Sequence, residues 1–171
     1  LLGGKTYVNI HTAAHGNGEL RGQVTPAAFH TLLSGAAERP EPVSTDAAGF
    51  GSFTVIGREL AFHVTYRGLS GSAAAAHIHG PADASGSSGV LIDLAPFNGG
   101  AFGTSGSLSG RVALTPAQLG ALVDGKTYVN IHTAAHGGGE IRGQIRPVIT
   151  GTPFAAELTG AAERPDPVAT M

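Results

Sequence analysis

Cysteine is absent from this chain, which excludes disulfides and every metal site that needs a thiolate. Tryptophan is absent too, and methionine occurs once. Charged residues are scarce, 13% of the 171, and the formal net charge is −2. That balance is too weakly basic for a nucleic-acid backbone and too weakly charged for a disordered chain. No apolar run approaches the roughly 20 residues that a helix needs to span a bilayer, so no membrane span is expected. What is abundant is small: 27 glycines, with many Ser, Thr and Ala. Such a composition suits a secreted or cell-surface, extracellular β protein of a bacterium. The lack of a leader fits a window taken from the mature region of a longer chain.

Against this plain background one phrase stands out. GKTYVNIHTAAHG fills residues 4–16 and again residues 125–137. Each copy runs on into a near-identical tail, NGELRGQV and then GGEIRGQI. A second phrase repeats out of phase with the first: LSGAAERPEPV at 33–43 returns as LTGAAERPDPV at 158–168. Internal repetition of this kind decides how a chain must be divided. Residues 29–147 read as one complete unit. Residues 1–24 read as the C-terminal part of a preceding repeat, and 152–171 as the N-terminal part of a following one. A unit of this length has the size of a domain, not of a solenoid repeat. The expectation is a tandem array of beads, with the terminal fragments completed by neighbouring repeats or subunits through strand addition.

Within the complete unit, short runs alternate apolar and polar residues between glycine-rich turns. In ELAFHVTY, Leu60, Phe62, Val64 and Tyr66 share one face of a strand, a period of two. Gly57-Arg58 reads as a tight hairpin turn between 50–57 and 59–69. Further strands are expected at 29–35, 73–80, 89–94, 103–114, 126–133 and 139–147. One short helix is expected at 115–125, with Thr115 as cap, Pro116 at its first position and Gly125 as stop. The fold class is all-β, an antiparallel sandwich of the superoxide-dismutase or immunoglobulin Greek-key type with one short helix.

The chemistry-bearing residues are histidines. His77 and His79 are two apart on a strand, so their imidazoles project together. His132 and His136 lie near the end of a second strand, whose other face is expected to carry Tyr128 and Asn130. Neutral imidazoles converging from separate strands suit copper or zinc. His77, His79 and His132 are the candidate ligands. His63 and His136 are additional residues: His63 reads as a sheet-face or supporting residue, His136 as part of the turn before Gly137–Gly139. His11 and His15 repeat His132 and His136, without an HIH pair in their own fragment. Glu140 and Arg142 are expected to point outward from the last strand, and AERPEP (37–42) to form a rigid exposed turn. No phosphate loop, nucleophile elbow or Ser/His/Asp pattern is present.

AAHIHGPA (75–82), LVDGKTYVNIHTAAHGGGEIRGQI (122–145) and LSGAAERPEPV (33–43) together resemble the CHRD domain, a module described in chordin and found in bacterial secreted proteins. The resemblance covers 29–147 and both flanking fragments, and implies a β-sandwich. A more local stretch, GLSGSAAAAHIHGPADASGSSG, resembles the segment of copper-zinc superoxide dismutase in which an H-x-H pair binds copper. By that resemblance His77 and His79 would be copper ligands, joined by His132. Two departures weigh against an enzyme: the dismutase disulfide has no counterpart, and the 83–89 loop carries no histidine to bridge to zinc.

The function expected from these residues is structural and non-enzymatic: a repeated β-sandwich bead of a secreted or cell-surface bacterial filament, whose partners are copies of itself. The alternative is an extracellular copper- or zinc-binding module. A dismutase-like redox enzyme ranks last.

Overall fold

The computed structural model describes residues 6–148, 154–164 and 167. The strands are β1 Tyr7–Ile10, β2 Leu20–Gln23, β3 Thr25–Pro26, β4 Ala28–Ser34, β5 Ala48–Ile56, β6 Glu59–Arg67, β7 Ala73–His79, β8 Val90–Asp93, β9 Gly106–Ala113, β10 Tyr128–Thr133, β11 Ile141–Gln144, β12 Arg146–Pro147 and β13 Phe154–Ala155. The helix α1 spans Pro116–Val123. The main sheet runs β8-β7-β10-β11-β4-β5-β6-β9, with β12 also on β4. Every pairing in it is antiparallel.

Alternation builds this sheet. On β6, Leu60, Phe62, Val64 and Tyr66 are at most 5% exposed, while Glu59, His63 and Arg67 face solvent. Burying each such side chain contributes roughly 1.5–3 kcal/mol. The turn between β5 and β6 is Gly57-Arg58, and Gly57 adopts φ +60°, where a side chain would be strained. After this meander the chain crosses from β6 to β7, on the other half of the sheet, and crosses back from β8 to β9. The edges then meet: Asn98, just beyond β8, bridges Leu108 of β9. Leu69 N–H donates to Thr104 O and Ala73 N–H to Gly103 O. The sheet therefore curls over a single apolar core that includes Phe29, Leu60, Val64, Leu108, Val129, Ile131 and Ile141.

The helix forms where its signals stand. Thr115 Oγ1 accepts from Gln118 N–H while Gln118 Oε1 accepts from Thr115 N–H, a reciprocal cap. Gly125, at φ +68°, follows its end.

The terminal segments make a second, smaller assembly. β1 pairs with β2 as Tyr7↔Gln23, Val8↔Gly22, Asn9↔Arg21 and Ile10↔Leu20. This is residue for residue the register of β10 on β11, Tyr128↔Gln144 to Ile131↔Ile141. Thr159 then bridges Arg21, as Ser34 meets Arg142 in the complete unit. β13 pairs with β3. The fragments expected to await neighbours thus pair with each other inside one chain, through Arg21↔Thr159 and β13 on β3. Residues 165–166 and 168 of the second phrase, and 169–171 after it, lie outside the described residues.

Two surface expectations are corrected. Glu140 is fully buried: its carboxylate accepts from Ser70 N–H (2.8 Å), Ser70 Oγ (2.7 Å), Thr133 Oγ1 (2.8 Å) and Thr45 Oγ1 (3.0 Å). Burial pushes its pKa up, but the bonds from Ser70, Thr133 and Thr45 outweigh that and hold it below the ordinary value. Arg142 is 2% exposed. The AERPEP segment is not wholly exposed either, since Glu38 is buried at 2%. Alternation in sequence identifies two faces of a strand. It does not reveal that loops cover the second face here.

Candidate metal centre

β7 and β10 are neighbours, with His79 opposite Tyr128, His77 opposite Asn130 and Ala75 opposite His132. His132 is therefore diagonal to His77, a spacing that long side chains bridge. Parity puts Tyr128, Asn130 and His132 on one face of β10. This corrects the expectation that Tyr128 and Asn130 lie opposite His132. Register shifts fall beside two of the histidines, between His132 and Thr133 against β7 and between Ile78 and His79 against β8. Such irregularities re-aim side chains.

The three imidazoles form a compact cluster. Ring centroids are 5.3 Å apart for His77–His79, 5.0 Å for His77–His132 and 5.8 Å for His79–His132. One nitrogen from each lies within 4.8 Å of the others. His77 Nδ1 and His132 Nε2 are 3.2 Å apart. Two nitrogens bound to one tetrahedral zinc are separated by about 3.3 Å, given bond lengths of roughly 2.0–2.1 Å.

Backbone carbonyls set the tautomers of two rings. His79 Nδ1 lies 3.0 Å from Ser88 O, and His132 Nδ1 lies 3.0 Å from Gly137 O. A carbonyl can only accept, so both Nδ1 atoms carry the proton and both Nε2 atoms present a lone pair. His79 Nε2 is buried and has no hydrogen-bond partner. A buried polar atom left unpaired costs about 1–3 kcal/mol. Burial, chiefly, lowers the pKa of His79 below the ordinary histidine value, with His77 and Arg142 adding to it against the bonds to Ser88 and Gly89. Burial likewise lowers that of His132, aided by His77 and His79, against the bond to Gly137. Both rings are thus held neutral, the form that ligates a cation.

A supporting layer fixes the cluster. His79 stacks on Tyr128, interplanar angle 7°. The Arg142 guanidinium lies 3.6 Å from the Tyr128 ring centroid and donates to Gly86 O (2.7 Å) and Asp83 O (3.1 Å). Tyr128 Oη accepts from Ser88 N–H and donates to Ser88 O, the carbonyl that orients His79. The glycine-serine loop thus supplies no ligand of its own but anchors one. Gly139, at φ +132°, lets the turn after β10 close over Asn130: a Cβ there would stand 2.3 Å from Asn130 Oδ1. Asn130 Nδ2 lies 3.4 Å from Glu38 Oε2.

The other histidines, and the two aspartates near the cluster, fall elsewhere. His63 is exposed on β6, its Nδ1 2.6 Å from Ser109 Oγ, outside the cluster. His136 forms the turn, exchanging backbone bonds with Thr133, and offers no nitrogen to the group. Asp93 pairs with His77 in register, but its Oδ1 accepts from Ala95 N–H. Asp83 is exposed and accepts from Ser85. His11 repeats the state of His132, with Nδ1 3.0 Å from Gly16 O, and is exposed. His15 is exposed in its turn. Sequence reasoning missed Tyr128, Arg142 and the Ser88 carbonyl as supports. Their signal was available in part, since Tyr7 and Arg21 repeat the same pair and Arg21 lies 3.9 Å from the Tyr7 ring.

In a comparison with protein families, the model of the CHRD domain matches residues 29–145. Comparison with curated proteins and with solved structures gives no match.

Proposed function

The chain belongs to the CHRD domain family, and from that premise we propose that its complete unit is an extracellular module that binds one copper or zinc ion through His77, His79 and His132. One observation carries the reading: the three imidazoles each bring a nitrogen within 4.8 Å of the others, and His79 Nε2 is buried without a partner. Imidazole suits both metals, and three protein ligands leave a coordination position open. The module acts by holding the ion, without turnover. Titration of the full chain with zinc and with copper(II), followed by calorimetry, is expected to give uptake of one ion per chain and a raised Tm. A chain that takes up neither metal would remove this reading.

A second reading rests on a separate observation, the identical register of β1–β2 and β10–β11. In it the unit is one bead of a secreted or cell-surface bacterial filament, and its partners are copies of itself. Sedimentation over a concentration series should reveal self-association. A strictly monomeric species throughout would count against the filament.

A further inference from the structure

The loop between β7 and β8 has little of its own to hold it. None of residues 81–89 is buried. Polar ties reach it instead from β10 and β11. Gln144 Nε2 donates to Ala82 O at 2.8 Å. Arg142 Nη2 donates to Gly86 O and Asp83 O, and its Nη1 reaches Ser87 Oγ at 3.4 Å. Tyr128 Oη takes the N–H of Ser88 at 3.0 Å and donates to its carbonyl at 3.2 Å. A segment without buried apolar side chains sits at the low end of local stability, so small changes in such ties move its order.

The last of these ties meets a candidate ligand. Ser88 O accepts from His79 Nδ1 as well as from Tyr128 Oη. A carbonyl oxygen has two lone pairs, and both are then taken. Tyr128 and His79 hold the same peptide group while their rings stack at 7°. The Arg142 guanidinium, 3.6 Å from the Tyr128 ring centroid, joins that stack to Asp83 and Gly86 of the loop.

We infer, resting on the metal reading above, that Tyr128 is a positioning residue for the ion and that its hydroxyl couples ion binding to the order of the 81–89 loop. Coordination through His79 Nε2 makes Nδ1–H a stronger donor. The bond to Ser88 O tightens, and with it the peptide group that Tyr128 Oη holds. The coupling runs both ways, because the free energy linking two events has one size from either end. Whatever orders Ser88 therefore raises affinity for the ion. Arg142 acts in the same direction, through the loop and through the Tyr128 ring.

Zinc affinity, measured by chelator competition on the full chain and on three variants, tests this. Tyr128→Phe keeps the ring and removes only the hydroxyl. It is expected to weaken zinc by about 10–100-fold, the usual cost of losing a group that orients a metal-bound histidine. Arg142→Lys keeps the charge, loses the planar fork, and is expected to weaken zinc as well. Tyr7→Phe, which alters the repeat equivalent under Arg21, should change nothing. In the unmodified chain, zinc should slow amide exchange at Ser88 by about tenfold or more, the same coupling seen from the loop. A Tyr128→Phe protein that melts earlier yet binds zinc with unchanged affinity would overturn the inference, since the hydroxyl would then serve the fold alone. Should that variant not fold, Ser88 exchange decides, and equal rates with and without zinc overturn the coupling. No zinc uptake by the unmodified chain overturns the coupling and the metal reading together. Uptake that Tyr128→Phe leaves unaltered overturns the coupling and leaves the metal reading standing.

Discussion

Replacing His79 by alanine is expected to weaken zinc and copper binding by at least about 100-fold, or about 2.8 kcal/mol, more than the loss of a supporting residue around a metal typically costs. Three features concentrate this effect on His79. Its Nε2 is buried and unpartnered, its Nδ1 is tied to Ser88 O, and its ring is stacked on Tyr128. Removing the ring takes away a ligand that has no alternative use for its lone pair. His132→Ala should behave alike, because its tautomer is fixed by Gly137 O in the same way. His63→Ala, on the distant β6 face, should leave affinity unchanged and serves as the control. The variants are compared by competition with a chelator. If His79→Ala and His63→Ala bind equally, the metal centre is not where the imidazoles converge.

The apo protein should become more stable at pH 8 when Glu38 is replaced by glutamine. Glu38 is 2% exposed, and burial raises its pKa from 4.5 to about 7, against the pull of Arg142 and the bond from Asn130. Its Oε1 finds no partner. The folded state therefore holds this proton more tightly than the unfolded state does. The contribution of the protonated carboxyl is fully present below about pH 4.5 and is lost as pH rises through about 7. At 1.36 kcal/mol per unit the loss is at most roughly 3 kcal/mol. Glutamine keeps the shape and cannot ionise, while Arg142 keeps its carbonyl partners Asp83 and Gly86. Glu38→Gln should thus gain about 1–3 kcal/mol at pH 8, and Tm should rise by about 2–4 °C per kcal/mol in a chain of this size. Near pH 4.5 the two proteins should differ little. Parallel Tm profiles between pH 5 and 8 would show that Glu38 does not titrate in this range.

The convergence of His77 and His79 was legible in the sequence. Two histidines spaced by one residue on a strand must share a face, since side chains alternate with a period of two. The helix was equally legible, because Thr115, Pro116 and Gln118 act within one turn of each other. Glu140 and Arg142 were not. Their alternation placed them on the non-core face of the last strand, where solvent is the ordinary neighbour. Residues up to 95 positions away in the chain instead close over them, such as Thr45 against Glu140. Pairing partners that distant leave no periodic trace.

By itself, then, the sequence determined the antiparallel all-β class, the helix, the recurrence of the two phrases and the identity of the three histidines. Those follow from local periodicity, local capping and self-similarity. The tertiary structure alone decided that β7 and β10 are neighbours and that His132 stands diagonal to His77. It also decided that Ser88 and Gly137 orient the rings and that the two terminal fragments pair with each other. These depend on strand order and register, which are set by the burial of a core assembled from the whole unit rather than by any one stretch of it.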